Sequence, residues 1–311
     1  IHGTSFEVSR ATHAQRNAAV TELHNWGAEV MHMHTPWTPL LPWQMWRALK
    51  LPSVATFHAT LPENAGFDPM SIALRRVGHY FNHRISRTVV PSMAPYRQWE
   101  AAGATPLPAI LPPTIDLSEW RASGEVAKPS EIFRVVYMGR LEARKGVSVL
   151  LDAWREVAAT VPDAELIIAG RGEEETALRA QADSLPSVTF QPPPNDAEAR
   201  ALIASADIFT ATALHGESFG LVLIEAMAAG TLPVAAANEG FATVMTGAGA
   251  DLLVPPGDAG ALAWKLIKLA QAPEKRAQLT NWAAAHAMEF DVSTVGPEYV
   301  KLYAQALASP T

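Results

Sequence analysis

The stretch at 215–230, HGESFGLVLIEAMAAG, places two carboxylates, Glu217 and Glu225, among otherwise small and apolar residues. A carboxylate is rarely buried without a partner, so each of them needs one. LVLIEAMAAG is a strong helix former that begins inside a glycine-bearing loop. The first turn of such a helix carries unpaired amide donors and partial positive charge, which together make an anion site. An anion there would sit near the amides of Phe219, Gly220 and Leu221, with Gly216 and Gly220 permitting close approach to the backbone. Glu225, in the second turn, can accept two hydrogen bonds from vicinal hydroxyls such as those of a ribose. Glu217 precedes the helix and would lie nearer the far side of the anion, within reach of a second set of sugar hydroxyls.

A second group supplies the cations. GRLEARKG at 139–146 follows an apolar run ending in glycine. Gly139 turns the backbone, and Arg140 and Lys145 follow on a short loop. A planar guanidinium beside a point charge suits a diphosphate. The two stretches together place a ribose, a diphosphate and a sugar in order along one surface. The plainer alternatives are a solvated basic turn, an exposed Glu217, and a Glu225 paired with some arginine.

Elements of regular pattern must hold these loops. From Phe133 onward, short apolar runs (FRVVYMG, AELIIAG, SVTFQ, DIFTATA, TLPVAAA, DLLVPP) alternate with helical stretches, among them KGVSVLLDAWREVAATV with Val149, Leu150, Ala153, Trp154 and Val157 at helical spacing. That alternation predicts a doubly wound α/β domain with a parallel sheet over 132–288. Such sheets bind ligands at their carboxyl edge, where both loops fall. The front is less regular. AEVMHMHTP, PSVATFHATLP, TVVPS and PAILPPTID read as strands, and MSIALRRVGHYFNHRISR as a helix. These predict the later part of a second Rossmann-like domain over 1–121, without its early strands. A linker is expected at 122–131 and a closing helix, packing back across the hinge, at 289–311.

Bulk properties narrow the functional classes. The chain has 311 residues, 49% of them hydrophobic, and a net charge of −7. The first 121 residues carry +2 and the remainder −9, and eight of the ten histidines lie in that first part. An acidic chain is a poor partner for nucleic acid, although its front third can meet something anionic. Cysteine is absent, which removes thiolate chemistry and fits a reducing, cytoplasmic setting. No apolar run is long enough to span a bilayer. The start at Ile1 suggests that a leading segment precedes it.

GRLEARKG, LIIAGRGEEETALRAQA and HGESFGLVLIEAMAAGTLPVAAA resemble the C-terminal domain of the family-four retaining glycosyltransferases of the GT-B fold, whose signature is Glu, seven residues, Glu. The wording is similar to phosphatidylinositol mannosyltransferases in particular. HMHTP, VATFHAT and TVVPS extend the likeness forward to about Ala28. The resemblance implies two Rossmann-like domains facing across a cleft and transfer of a hexosyl unit from a GDP- or UDP-linked sugar to a glycan or lipid hydroxyl, with retention. It implies that Arg140 and Lys145 neutralise the diphosphate, that Glu225 holds the ribose, and that Glu217 holds or orients the donor sugar. It further implies that the backbone of Ser218 to Leu221 closes over the phosphates and that His58, in TFHAT, faces the donor sugar. No cofactor and no metal are expected, since fixed cations and a helix start serve the departing diphosphate and no Asp-x-Asp cluster is present. Two departures stand out. The glycine-rich turn after the family's first strand has no counterpart here, and Thr243 in FATVM stands where many relatives carry a glutamate.

Two features of the front third bear on the acceptor. Trp37, Trp43 and Trp46 fall within ten residues, and Arg75, His79, His83 and Arg87 are spaced four apart as one basic stripe on a helix. Both suit peripheral contact with an anionic membrane at its inner face. The plainer reading makes the tryptophans core and the stripe solvated. Two rival functions stay open: a nucleotide-sugar-binding protein without turnover, and a GT-B relative that hydrolyses or epimerises nucleotide sugars.

Overall fold

A computed structural model describes residues 9–34, 41–58, 76, 79–101, 103–126 and 132–308. The chain divides into two compact units, one of Ile1–Pro113 with Val295–Thr311 and one of Thr114–Thr294.

The second unit is a parallel sheet of six strands. In chain order these are β5 (Phe133–Met138), β6 (Ala164–Ala169), β7 (Val188–Gln191), β8 (Ile208–Ala211), β9 (Leu232–Ala236) and β10 (Leu253–Val254). Their order across the sheet is β10-β9-β8-β5-β6-β7. The chain starts in the middle, winds outward through β6 and β7, then returns to the other side of β5 with β8. The helix Val147–Thr160 buries Val147, Leu150, Leu151, Ala153, Trp154 and Val157, one apolar stripe at helical period. β8 and β9 are buried along their whole length, as strands covered on both faces must be.

The first unit contains a four-stranded parallel sheet, β1 (Met31–His34), β2 (Ser53–Thr56), β3 (Arg87–Val90) and β4 (Ala109–Ile110), in that spatial order. Successive side chains take opposite faces. Ala55 and Val90 join Met33, Phe57, Phe81 and Ile85 on one face, with Trp46, Tyr96 and Trp99 against them. Val54 and Val89 meet Val295, Tyr299, Leu302 and Ala306 on the other. Those last four lie on the helix Val292–Leu307, so the end of the chain covers the first sheet.

Several expectations need correction. The division falls at Pro113/Thr114, ahead of the expected boundary after 121. The stretch read partly as linker forms the helix Ser118–Val126, with Leu117 fully buried in the core of the second unit and Trp120 packed against it. Pro, Ser and Gly in that stretch suggested a loop, but Gly124 serves close packing, since a Cβ there would come 2.5 Å from the Ala229 carbonyl oxygen. Residues 127–131 of the expected linker lie outside the described residues.

The basic stripe is broken. Residues 79–82 are helical, yet Arg87 opens β3, so the four-residue spacing does not continue on one helix. Arg75 and Trp37 lie outside the described residues. Trp46 packs on Phe81 with ring centroids 5.5 Å apart and donates its indole N–H to Ser53 Oγ at 3.1 Å. Trp43 meets Phe81 and Tyr80 edge-on. The expected closing helix at 289–311 starts at Val292 after a short turn, Met288–Phe290.

Candidate active site

β5 and β8 are neighbours in the sheet, but the chain leaves them in opposite directions. Loops diverging at such a point open a crevice at the carboxyl edge. The loop after β5 carries Gly139 to Gly146, and the loop after β8 carries Thr212 to Gly220.

The first loop is held from several sides. Gly139 N–H donates to the Ala169 carbonyl at 3.0 Å and Leu141 N–H to that of Arg171 at 2.8 Å. The buried Tyr137 hydroxyl donates to the Arg140 carbonyl at 2.9 Å. Burial above all, then the Glu217 carboxylate, pushes that phenol well above its ordinary value, so it remains a donor. Thr212 Oγ1 donates to the Lys145 carbonyl at 2.9 Å, and Leu214 N–H to that of Arg144 at 2.8 Å. The two loops are therefore stitched together at the backbone. Gly146 makes this approach feasible: its φ is +66°, and a Cβ would stand 2.3 Å from the Thr212 carbonyl oxygen.

The charged side chains form one alternating row. Arg140 Nη1 is 2.7 Å from Glu142, whose other carboxylate oxygen is 3.1 Å from Arg144 Nε. Arg144 Nη1 reaches Glu217 Oε1 at 3.1 Å, and Lys145 Nζ meets the same oxygen at 2.6 Å. Three cations thus enclose two carboxylates, with one positive charge in excess. Glu142 is nearly buried and Arg140, at the outer end, is 45% exposed. Glu142 and Arg144 did not figure among the residues expected to carry chemistry. Their signal was present in the interleaved charges of LEARK, but only the sheet order shows what those charges meet.

The second loop runs into the helix Leu221–Ala228, capped by Gly220 at φ 127° with no side chain accepting from its first turn. The amide donors at this end therefore face whatever enters the crevice. The Phe219 ring is buried and packs edge-on against Phe290 at 5.7 Å, so Phe219 can offer a ligand only its backbone. Leu221 is exposed. Behind the loop, the helix Glu239–Val244 is capped by Asn238, which accepts from Phe241 N–H at 2.9 Å and donates to the Ala213 carbonyl at 2.9 Å. Gly240 lets that helix touch the loop, since a Cβ there would come 2.2 Å from the Glu217 carbonyl oxygen. Thr243, at the position of departure from the family pattern, donates to the Glu239 carbonyl at 3.0 Å within this helix.

The two glutamates have different fates. Glu217 is mostly buried and is neutralised by Lys145 and Arg144. Glu225 is half-buried, and its carboxylate, unlike its backbone carbonyl, makes no hydrogen bond or ion pair among the described residues. Burial, with a smaller contribution from Asp196, pushes its carboxyl up to about 7. A half-buried carboxylate without a protein donor can accept hydrogen bonds from an incoming polar group. Among the described residues no cluster of His, Asp or Glu is arranged to hold a metal ion.

The structure thus brings together Arg140, Lys145 and Glu217 beside Gly216, Ser218, Phe219, Gly220 and Leu221, with Glu225 on the helix that follows. His58 belongs to the first unit, just beyond β2. Its Nε2 lies 2.7 Å from His34 Nδ1.

Comparison with known proteins identifies the family. The family model described as "Glycosyl transferases group 1" matches residues 118–286, and "Glycosyltransferase Family 4" matches 4–119. The second match begins well ahead of Ala28, where the resemblance was expected to start. The phosphatidyl-myo-inositol mannosyltransferase of Mycolicibacterium smegmatis is 34% identical over 278 residues, covering 88% of this chain and 70% of the relative. Among solved structures, Anabaena HepE in complex with UDP-glucose superposes with a TM-score of 0.76 at 22% identity, covering 93% of this chain and 82% of that one. Sucrose-phosphate synthase from Thermosynechococcus elongatus gives 0.74 at 22% identity, over 95% and 78%. These two likenesses speak for the fold alone. From its sequence relatives and both family models, the chain belongs to the family-four glycosyltransferases, and its fold is GT-B.

Proposed function

We propose that the protein moves a hexosyl unit from a GDP- or UDP-linked sugar to a hydroxyl of a glycan or lipid acceptor, with retention at the anomeric carbon and without a metal. The carrying observation is the row Arg140, Glu142, Arg144, Glu217, Lys145 beside a helix start that no side chain caps. It is a pre-ordered cationic cradle whose carboxylates already hold its charges in place. In transfer the bond from sugar C1 to the diphosphate oxygen breaks, and a bond from C1 to the acceptor oxygen forms on the same face. The acceptor proton passes to the departing phosphate. Negative charge grows on the diphosphate as this happens. Lys145, Arg140 and the helix amides are fixed before the reaction, so they favour the transition state over the ground state. Glu225, without a donor of its own, takes the ribose hydroxyls, Glu217 orients the transferred sugar, and His58 is the histidine that the family resemblance assigns to that sugar.

The relatives named as phosphatidyl-myo-inositol mannosyltransferases support a lipid acceptor bearing an inositol headgroup. No helix among the described residues is long and apolar enough to cross a membrane. A lipid acceptor would then be met by peripheral association at the cytoplasmic face, which liposome pelleting with and without anionic lipid tests; equal pelleting in both would remove this element.

The test of function is nucleotide release from GDP-mannose and from UDP-glucose, each with and without phosphatidylinositol vesicles. Release only with acceptor supports transfer. Release without acceptor points to hydrolysis, and no release with either donor points to a binding protein. A thermal-shift panel of GDP, UDP and ADP names the base through linkage, the cognate diphosphate giving the larger shift.

A further inference from the structure

β1 and β2 pair in parallel with His34 opposite Thr56, and side chains at 32 and 34 leave β1 on one face. Together with His58 they form a ladder of three imidazoles. The rings of His32 and His34 stack with centroids 4.6 Å apart, and those of His34 and His58 lie nearly parallel at 5.0 Å. The lowest rung is fixed at both nitrogens: His32 Nδ1 is 2.8 Å from the Tyr303 hydroxyl, and its Nε2 is 2.8 Å from Thr56 Oγ1. The uppermost contact is the 2.7 Å hydrogen bond between His34 Nδ1 and His58 Nε2.

All three rings favour the neutral form. Burial, then the neighbouring His34 and His58, brings His32 down to about 4. Burial lowers His34, and burial followed by His34 lowers His58. The groups facing the ladder are Thr56 from β2 and Tyr299 and Tyr303 from the last helix. Both phenols are pushed upward by burial, Tyr299 to about 12, and stay protonated. Lys301 and Glu298 on that helix are exposed and pair with each other at 2.6 Å. No charged side chain among the described residues bonds to the ladder.

A neutral imidazole has one N–H and one lone pair, and which nitrogen carries which is set by the bond the other makes. We propose that His34 is a positioning residue for His58: its Nδ1, held by stacking on the anchored His32 ring, binds His58 Nε2, fixes the orientation of that ring and couples the tautomers of the two, so that the tautomer of His34 decides what His58 Nδ1 presents to a ligand. Tyr303 makes the last helix part of this device. The proposal rests on the assignment of His58 to the transferred sugar only for its catalytic consequence; the positioning itself is a property of the free protein.

Nitrogen-15 spectra of histidine-labelled full chain read the His58 tautomer directly. Near neutral pH we expect one tautomer in the wild type and a mixture in His34→Ala. His34→Asn keeps an amide at the place of Nδ1 and should retain the single tautomer. The His58 titration midpoint should rise in both variants, because each removes a ring that can charge, so the tautomer and the midpoint separate the hydrogen bond from the charge. With GDP-mannose as donor, kcat should fall about tenfold or more in His34→Ala with KM little changed, and recover in His34→Asn. Added to His58→Ala, the same change should cost nothing further. An unchanged His58 tautomer in His34→Ala overturns the proposal. Wild-type turnover in His58→Ala would instead remove His58 from the reaction and leave the tautomer result to decide the role of His34.

Discussion

Lys145 Nζ lies 2.6 Å from Glu217 Oε1, although 72 positions separate the two residues. This contact joins the loop after β5 to the loop after β8, and Arg144 reinforces it from the other side. The pair sets the charge of the crevice. One carboxylate restrains two cations that would otherwise repel.

If those cations carry the departing diphosphate, removing one should slow chemistry. Lys145→Ala and Arg140→Ala are each expected to lower kcat roughly a hundredfold or more. Steady-state transfer rates check this, and near-normal turnover in either variant would defeat the mechanism.

Glu217 should separate binding from turnover. Glu217→Gln leaves Arg144 and Lys145 without their shared counter-ion. Free nucleoside diphosphate is then expected to bind a few-fold more tightly, while kcat falls at least about tenfold. Calorimetric titration with GDP or UDP beside steady-state kinetics reads both. Weaker nucleotide binding would contradict the counter-ion role.

Glu225 predicts a pH dependence of stability. Its carboxyl is pushed up to about 7 from an ordinary value of 4.5, so the folded state holds the proton more tightly than the unfolded chain. Below 4.5 both states are protonated and burial carries no ionic penalty. As pH rises from 4.5 through about 7 the unfolded chain ionises first, and this group's contribution turns against folding. Glu225→Gln removes that penalty. Its Tm should match the wild type near about pH 4 and exceed it by a few degrees near about pH 8. A difference that does not vary with pH would refute the assignment. The same variant should weaken nucleotide binding, since a ribose hydroxyl loses a charged acceptor.

Gly146 tests the stitching of the loops. Gly146→Ala adds a Cβ at φ +66°, 2.3 Å from the Thr212 carbonyl oxygen. Its urea midpoint should fall by an amount equal to roughly 2 kcal/mol or more. A change within error would mean that the loop relaxes freely and does not hold Lys145.

Much of this was legible in the residues. The apolar runs and helical stripes of 133–288 gave a parallel doubly wound sheet because buried strands and one-faced helices leave distinct periods. Glycines beside a helix former marked the loop proposed to receive an anion. The helix Ser118–Val126 was not legible: its composition resembles a linker, and only burial of Leu117 and Trp120 against the second unit orders it. The basic stripe was misread because spacing of four is helical only while the helix continues, and Arg87 already belongs to β3. His34 carried no signal beyond its position one strand away from His58.

The sequence alone determined the kinds of element, the loops able to hold an anion, and the family. It could not say which carboxylate would be spent on a cation and which left open. That depended on β5 and β8 lying side by side, with β6 and β7 placed on the far side. Periodicity reports the face a residue takes within its own element. Ion pairs such as Lys145 with Glu217, and ring contacts such as His34 with His58, depend on which elements become neighbours, and only packing of the whole sheet decides that.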